Sequence, residues 1–193
     1  MPGSSLWLLP PDAHPLNDVL TSLIKRTATR YGSSDLFIPH VTLTSNILPS
    51  TYEAEPQKWL DSLDLPAGNE VQVEFEKLSS EDVYFRKLYI KCQKTAGLRA
   101  LAKACREQAV DHGDKETARR WADEVYNPHT SLLYYDCPQI SAKELGETSE
   151  LSREEGIDLV ERNEGSSWTG GRVVLVATDK PTTEWKPIAE RVI

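Results

Sequence analysis

The sequence predicts a mixed fold of helices and strands in which a strand–helix–strand unit occurs twice. Two long segments have apolar residues at helical spacing, and several short segments alternate apolar with polar residues. Both units end in a segment that contains a Pro-His pair, with a hydroxyl residue two positions and a leucine three positions after the histidine. The chain has 193 residues, enough to bury a core in one domain or two small lobes.

The first unit is predicted to contain strand Ser5–Leu9, helix Leu16–Tyr31 and strand Pro39–Ser45. Pro10 ends the first strand because proline has no N–H to donate to a ladder. In the helix, apolar side chains recur at helical spacing, and Gly32 is a residue type that commonly ends helices.

The rest of the chain divides into three stretches. Between the units the sequence predicts a short helix, a turn and a strand, at residues 51–62, Leu65–Asn69 and 71–76. The second unit has strand Lys87–Cys92, helix Gly97–Val110, an exposed helical connection Asp111–Glu124 and strand Pro128–Tyr135. In the last third of the chain, the sequence predicts an acidic helical segment Ser141–Glu161, a turn Gly165–Ser167 and a strand Arg172–Ala177. Because no long linker interrupts these elements, we expect one domain over residues 1–193.

The charge balance argues against a large nucleic-acid partner. The formal net charge is −8, whereas a protein that binds long RNA or DNA through many phosphates is normally basic. One stretch, Arg86–Arg120, contains ten basic and four acidic residues. It is interpreted either as a solvated helix face or as a source of positive potential near a phosphate site.

Several other classes of protein and site are disfavoured. Three cysteines without a CxxC pair suit a reducing compartment and do not suit a structural zinc site. No apolar run approaches the roughly 18 residues of a membrane helix, and the first residues lack the pattern of a signal peptide. We therefore expect a cytoplasmic protein without a transmembrane segment.

The functional signal lies in the two Pro-His segments. His40 is followed at the second position by Thr42, and His129 is followed in the same way by Ser131. Residues i and i+2 of a strand point to the same face, so each histidine shares a face with its hydroxyl partner. If the two units pack around a pseudo-two-fold axis, two imidazoles and two hydroxyls meet at one point.

This set of side chains suits the hydrolysis of a phosphodiester. One neutral imidazole can take a proton from water while the other, protonated, gives a proton to the leaving oxygen. The hydroxyls can hydrogen-bond the non-bridging phosphate oxygens. The alternative is a pair of core histidines satisfied by neighbouring hydroxyls. A serine-hydrolase interpretation is weaker, because an i, i+2 strand pair does not aim the hydroxyl at the imidazole.

At these motifs the sequence resembles the 2H phosphoesterase superfamily, and within it the fungal and plant type of cyclic phosphodiesterase. The resemblance rests on three stretches: Leu6–Leu8, Pro39–Ser45 and Pro128–Tyr134. It implies an α+β bilobal fold, with two pseudo-symmetric antiparallel sheets that line a central cleft and helices outside.

The resemblance also implies an activity. It implies hydrolysis of 2′,3′-cyclic nucleotides to nucleoside 2′-phosphates and of ADP-ribose 1″,2″-cyclic phosphate, a by-product of tRNA splicing, to ADP-ribose 1″-phosphate. His40 and His129 are then the catalytic pair, with His129 as base and His40 as acid, and Thr42 and Ser131 bind the phosphate. No metal or other cofactor is implied. We expect a monomer, and peripheral association with the Golgi, as in some relatives, stays open.

Three further residues are candidates for substrate binding. Tyr134 matches an aromatic hydroxyl that often follows the second motif in this family, although strand parity favours Tyr135 unless a bulge intervenes. Thr44 shares the predicted face of His40, and Trp168 is interpreted either as a residue that stacks on a nucleobase or as a core residue. Two alternative functions are an RNA-end-processing enzyme (a 2′–5′ RNA ligase or a 3′-end phosphodiesterase) and a non-catalytic nucleotide-binding module.

Overall fold

The computed structural model describes residues 3–160 and 166–193, which form eight strands and five α-helices. The strands are β1 Ser4–Leu9, β2 Val41–Ile47, β3 Gln72–Ser79, β4 Leu88–Cys92, β5 His129–Leu133, β6 Ser167–Thr169, β7 Arg172–Ala177 and β8 Pro187–Val192. The helices are α1 Leu16–Tyr31, α2 Pro56–Ser62, α3 Ala96–Ala109, α4 Lys115–Arg120 and α5 Ala142–Glu154.

The strands form an antiparallel sheet of two halves. Their order is β6-β3-β4-β5-β2-β1-β7-β8, so β5 and β2 meet in the middle. That junction is narrow, with Val41 opposite Thr130 as its paired position. The predicted α+β fold is confirmed, and the two predicted sheets are joined edge to edge at the strands that carry the histidine motifs.

Both strand–helix–strand units are confirmed, as β1-α1-β2 and β4-α3-β5. Helix α1 ends at Gly32, whose φ of +76° suits glycine and whose N–H donates to the carbonyl of Ala28. Helix α3 begins at Thr95, whose hydroxyl accepts a hydrogen bond from the N–H of Leu98.

Each helix packs against the motif strand of the other unit. The hydroxyl of Thr27 in α1 donates to the carbonyl of Leu132 in β5 at 2.6 Å, while α3 contacts β2. The apolar faces of both helices are buried there, which joins the halves through their cores. The histidine motifs lie on the other face of the sheet, which these two helices do not cover.

A β-bulge interrupts each motif strand at the equivalent position. In β2, Trp7 lies opposite Thr42 but Leu6 lies opposite Thr44, so Leu43 is the extra residue. In β5, Tyr89 lies opposite Ser131 but Leu88 lies opposite Leu133, so Leu132 is the extra residue. A bulge reverses which residues face which side of the sheet beyond it.

Some elements differ from the sequence predictions. The connection predicted as helical at Asp111–Glu124 contains α4 and a π-helical turn at Trp121–Val125. The acidic helix ends at Glu154, and the predicted positions Glu161 and Gly165 lie outside the described residues. Strands β6 and β8 were not predicted. Within the described ranges, no helix combines the length and apolar character needed to cross a membrane.

Candidate active site

His40 is buried and fixed in one orientation just before β2. Its Nδ1 lies 2.6 Å from the carbonyl oxygen of Ile38, and because a carbonyl only accepts, Nδ1 carries the hydrogen. Its ring is stacked on the indole of Trp7, with centroids 3.7 Å apart and planes 9° apart, and Phe37 contacts its edge. The intervening Pro39 restricts Ile38 to extended conformations, which suits a carbonyl that reaches the imidazole.

His129 repeats this arrangement at the start of β5. Its Nδ1 lies 2.9 Å from the carbonyl oxygen of Asn127, across Pro128, and therefore also carries the hydrogen. The side chain is only partly buried. The ring of Tyr89 contacts it at 5.1 Å between centroids with planes 62° apart. In both histidines Nε2 is thus the nitrogen left to exchange a proton with a substrate.

Burial lowers the pKa of both imidazoles. The pKa of His40 is lowered to about 4, mainly by burial and also by a charge on His129, against a partial opposing effect of the Ile38 carbonyl. The pKa of His129 is lowered mainly by burial and also by the charge of Arg86, while the Asn127 carbonyl and Glu81 raise it. A charge on His129 thus acts on His40, and both imidazoles favour the neutral form in the free protein.

The two motif hydroxyls lie on the same face of the sheet as the histidines. Thr42 is opposite Trp7, and Ser131 is opposite Tyr89, and cross-strand neighbours share a face. The Ser131 hydroxyl donates to the carbonyl of Phe85 at 3.1 Å. The structure therefore places His40, Thr42, His129 and Ser131 on one face of the sheet, on two adjacent strands.

Tyr134 also joins this group because of the bulge at Leu132. The bulge turns Tyr134 to the histidine side, where its ring stacks on Phe37 at 3.9 Å and its hydroxyl interacts with Ser131. Tyr135, which regular parity had favoured, places its hydroxyl near Gly32 at the end of α1.

Thr44 does not face His40, and the parity prediction is wrong at this position. The bulge at Leu43 places Thr44 opposite Leu6 on the helix-covered side, where its hydroxyl is buried without a partner among the described residues. Ser45 takes the place on the histidine side and accepts a hydrogen bond from Ser5 at 3.0 Å.

Trp168 lies away from the site and does not face the histidines. It belongs to β6, opposite Val73 at the outer edge of the sheet, with β3 and β4 between it and β5. It is buried against Phe75 in an edge-to-face contact at 5.8 Å. Trp168 is thus a core residue. It lies in a short edge strand and not in the turn that the sequence predicted.

The charges near the site are largely paired. Arg86 forms an ion pair with Glu81 at 2.9 Å and is the member of the basic stretch whose charge acts on His129. Other members of that stretch pair with acidic neighbours, as Arg99 does with Asp123. The stretch is thus mainly a solvated, ion-paired surface. Over residues 3–160 and 166–193, no three or more His, Cys, Asp or Glu side chains are grouped to hold a metal ion.

The sequence reasoning missed the aromatic residues that surround the histidines. Trp7 and Tyr89 occupy equivalent places in the two halves, each opposite a motif hydroxyl. Trp185 reaches the same region, 5.7 Å from Trp7, from the loop before β8. The repeat itself offered a signal for Trp7 and Tyr89, since both are aromatic residues of the first strand of a unit.

Comparison with known proteins identifies the family and the fold of the chain. A family model described as cyclic phosphodiesterase-like protein matches residues 1–193. A 2′,3′-cyclic-nucleotide 3′-phosphodiesterase of Phaeosphaeria nodorum is 54% identical over 191 residues, covering 99% of both chains. One of Neurospora crassa is 39% identical and covers 100% of both. The crystal structure of E. coli LigT complexed with 3′-AMP shares the fold, with a TM-score of 0.54, 13% identity and coverage of 100% and 97%.

Proposed function

The chain belongs to the family of cyclic phosphodiesterase-like proteins, and we propose that it hydrolyses 2′,3′-cyclic nucleotides to nucleoside 2′-phosphates. The observation that carries this proposal is the matched pair of histidines at the β2–β5 junction. Each is held at Nδ1 by the carbonyl two residues earlier, which leaves Nε2 for the substrate, and each shares a face of the sheet with its motif hydroxyl residue. Two such imidazoles are the groups that an in-line displacement at phosphorus needs.

The proposed reaction uses the histidines in different roles. Nε2 of His129 takes a proton from water, and the water oxygen attacks phosphorus as the bond from phosphorus to O3′ breaks. Nε2–H of His40 gives its proton to O3′, so the product is a nucleoside 2′-phosphate with a free 3′-hydroxyl. Exposure supports this order, because water reaches the partly buried His129 more readily than the buried His40.

The phosphate itself supports the protonation of His40. Burial disfavours the imidazolium in the free protein, but a bound phosphate monoanion favours it strongly in a dry site. Thr42 and Ser131 donate hydrogen bonds to the non-bridging oxygens, and Ser131 exchanges its bond to the Phe85 carbonyl for one to phosphate. The ring of Tyr134 is buried in the same region, and its hydroxyl, which interacts with Ser131, is the part that we assign to contact with the substrate.

We extend the proposal to ADP-ribose 1″,2″-cyclic phosphate, which presents the same five-membered cyclic diester on a ribose. We also propose that no metal or other cofactor takes part, because two imidazoles and two hydroxyls supply every proton and hydrogen bond in the scheme. RNA-end processing is less well supported. The net charge of −8 and the ion pairing of the basic stretch leave little free positive surface for a long strand.

The test is incubation with 2′,3′-cyclic AMP in excess EDTA, followed by phosphorus NMR. We expect one product, the 2′-phosphate. His40→Asn and His129→Asn should each lower kcat by about 10²- to 10⁴-fold. His112→Asn, in an exposed turn, is the matched control and should keep full activity. Formation of the 3′-phosphate would overturn the assignment of the leaving oxygen, and loss of turnover in EDTA would overturn metal independence.

A further inference from the structure

The ring of Trp7 is stacked face to face on the imidazole of His40. The two rings are nearly parallel, 3.7 Å apart, and Trp7 is 1% exposed. Its Nε1 has no hydrogen-bond partner among the residues that the structure describes. The indole is therefore held by packing, including an edge contact with Trp185, and not by a polar bond of its own.

The equivalent aromatic residue of the other half is placed differently. Tyr89 lies opposite Ser131 as Trp7 lies opposite Thr42, so the two residues are related by the internal repeat. The Tyr89 ring is tilted by 62° to His129 at 5.1 Å, and its hydroxyl donates to Glu81 at 2.7 Å. The two histidines thus differ in how much of an aromatic face each one meets.

This difference matters for the charge on each imidazole. The face of an aromatic ring is electrically negative, indole attracts a cation most strongly, and the attraction is larger in a desolvated site than at an exposed one. A face stack therefore stabilises the imidazolium of His40 relative to its neutral form. The tilted Tyr89 ring offers His129 less of this stabilisation.

Resting on the hydrolysis proposed above, we propose that Trp7 is a positioning residue that raises the proton affinity of His40, so that this ring carries the proton to be donated once the substrate phosphate is bound. The asymmetry between Trp7 and Tyr89 then selects His40 as the acid and leaves His129 as the base. The internal repeat supplies two similar histidines, and their aromatic neighbours make them different.

The test weakens the negative face of the indole without changing its size. All tryptophans are replaced biosynthetically by a fluorinated tryptophan, and the pKa of His40 is measured by NMR in the full chain, free and bound to 2′-AMP. We expect the pKa of His40 to fall by about half a unit or more, and that of His129 to stay unchanged. The alkaline limb of the kcat profile should move to lower pH by the same shift.

Two matched variants assign the effect to one ring. In Trp7→Phe, fluorination of the remaining tryptophans should no longer move the pKa of His40. In Trp168→Phe, which removes another buried tryptophan with an unpartnered Nε1, fluorination should still move it. The role of Trp7 would be overturned if fluorination shifted the pKa of His40 equally in both variants, or if it did not shift that pKa in the unsubstituted chain.

The free-protein titration keeps this inference separate from the proposed function. A chain that fails to hydrolyse cyclic nucleotides but has a fluorination-sensitive His40 refutes the hydrolysis and supports the effect of the stack. An active chain with an insensitive His40 refutes the stack alone.

Discussion

At the scale of single residues, His40 combines burial with a strong preference for the neutral form. Its surroundings are the Trp7 face, the Phe37 edge and a backbone carbonyl that fixes Nδ1–H. Burial lowers its pKa to about 4, below the 6.5 of an unfolded histidine. Charging this ring without a bound anion therefore costs folding free energy.

The first prediction concerns stability in acid. Between about pH 6.5 and 4 the unfolded chain binds a proton at His40 that the folded chain does not. Stability from this group is present above pH 6.5 and is lost as the pH falls, by roughly 3 kcal/mol at pH 4. Denaturant unfolding at several pH values measures it, and the slope in this window should be smaller in His40→Asn. An equal slope in the variant would contradict the account.

At the scale of elements, the two bulges decide which side chains face the histidines. Each falls three residues after its histidine, at Leu43 and at Leu132. Beyond the bulge, Thr44 turns to the helix side and Tyr134 turns to the histidine side. The same irregularity thus removes one predicted residue from the site and adds another.

The second prediction separates Tyr134 from its neighbour. Tyr134→Phe removes a hydroxyl that interacts with Ser131, and we expect kcat/KM for a 2′,3′-cyclic nucleotide to fall about tenfold, the cost of about one hydrogen bond. Tyr135→Phe is the matched control, because its hydroxyl lies near Gly32, and its kcat/KM should stay within about twofold. The reverse pattern would show that the bulge does not set the side of the sheet that each tyrosine faces.

The long periodic elements and the paired motifs could be predicted from the sequence, because burial on one face imposes a readable period. The bulges could not be predicted, because one extra residue in a short apolar strand does not change the pattern of apolar and polar residues enough to be recognised. Strand β8 was missed because only Ala189 is buried in it, so its pattern does not alternate. Trp168 is the core residue that one of its two interpretations predicted, but its edge strand was missed because the Gly/Ser-rich sequence around it indicated a turn.

At the scale of the whole molecule, the repeat brings two motif strands side by side at the centre of one sheet. The exchange of helices, with α1 on β5 and α3 on β2, means that neither half buries its core alone. The site depends on this arrangement, because each half supplies one histidine and one hydroxyl. In the proposed mechanism, this junction sets the distance between the two proton-transfer groups.

The third prediction concerns substrate size. With a net charge of −8 and a basic stretch that is mostly ion-paired, the chain should make few phosphate contacts beyond the cyclic diester. Binding of a ten-nucleotide single-stranded RNA to His129→Asn should change less than about tenfold between 50 and 200 mM salt, against about 10³ or more for proteins with many phosphate contacts. Fluorescence anisotropy measures it. A steep salt dependence would instead favour an RNA-end substrate.

In the proposed mechanism, two histidines of lowered pKa exchange protons with a cyclic phosphodiester without a metal. The most direct measurement is the pH dependence of kcat/KM for 2′,3′-cyclic AMP in EDTA. Because one imidazole must be neutral and the other charged, the profile should be bell-shaped, and because burial lowers both pKa values, its maximum should lie below about pH 7. A flat profile between about pH 5 and 9, or no turnover in EDTA, would contradict it.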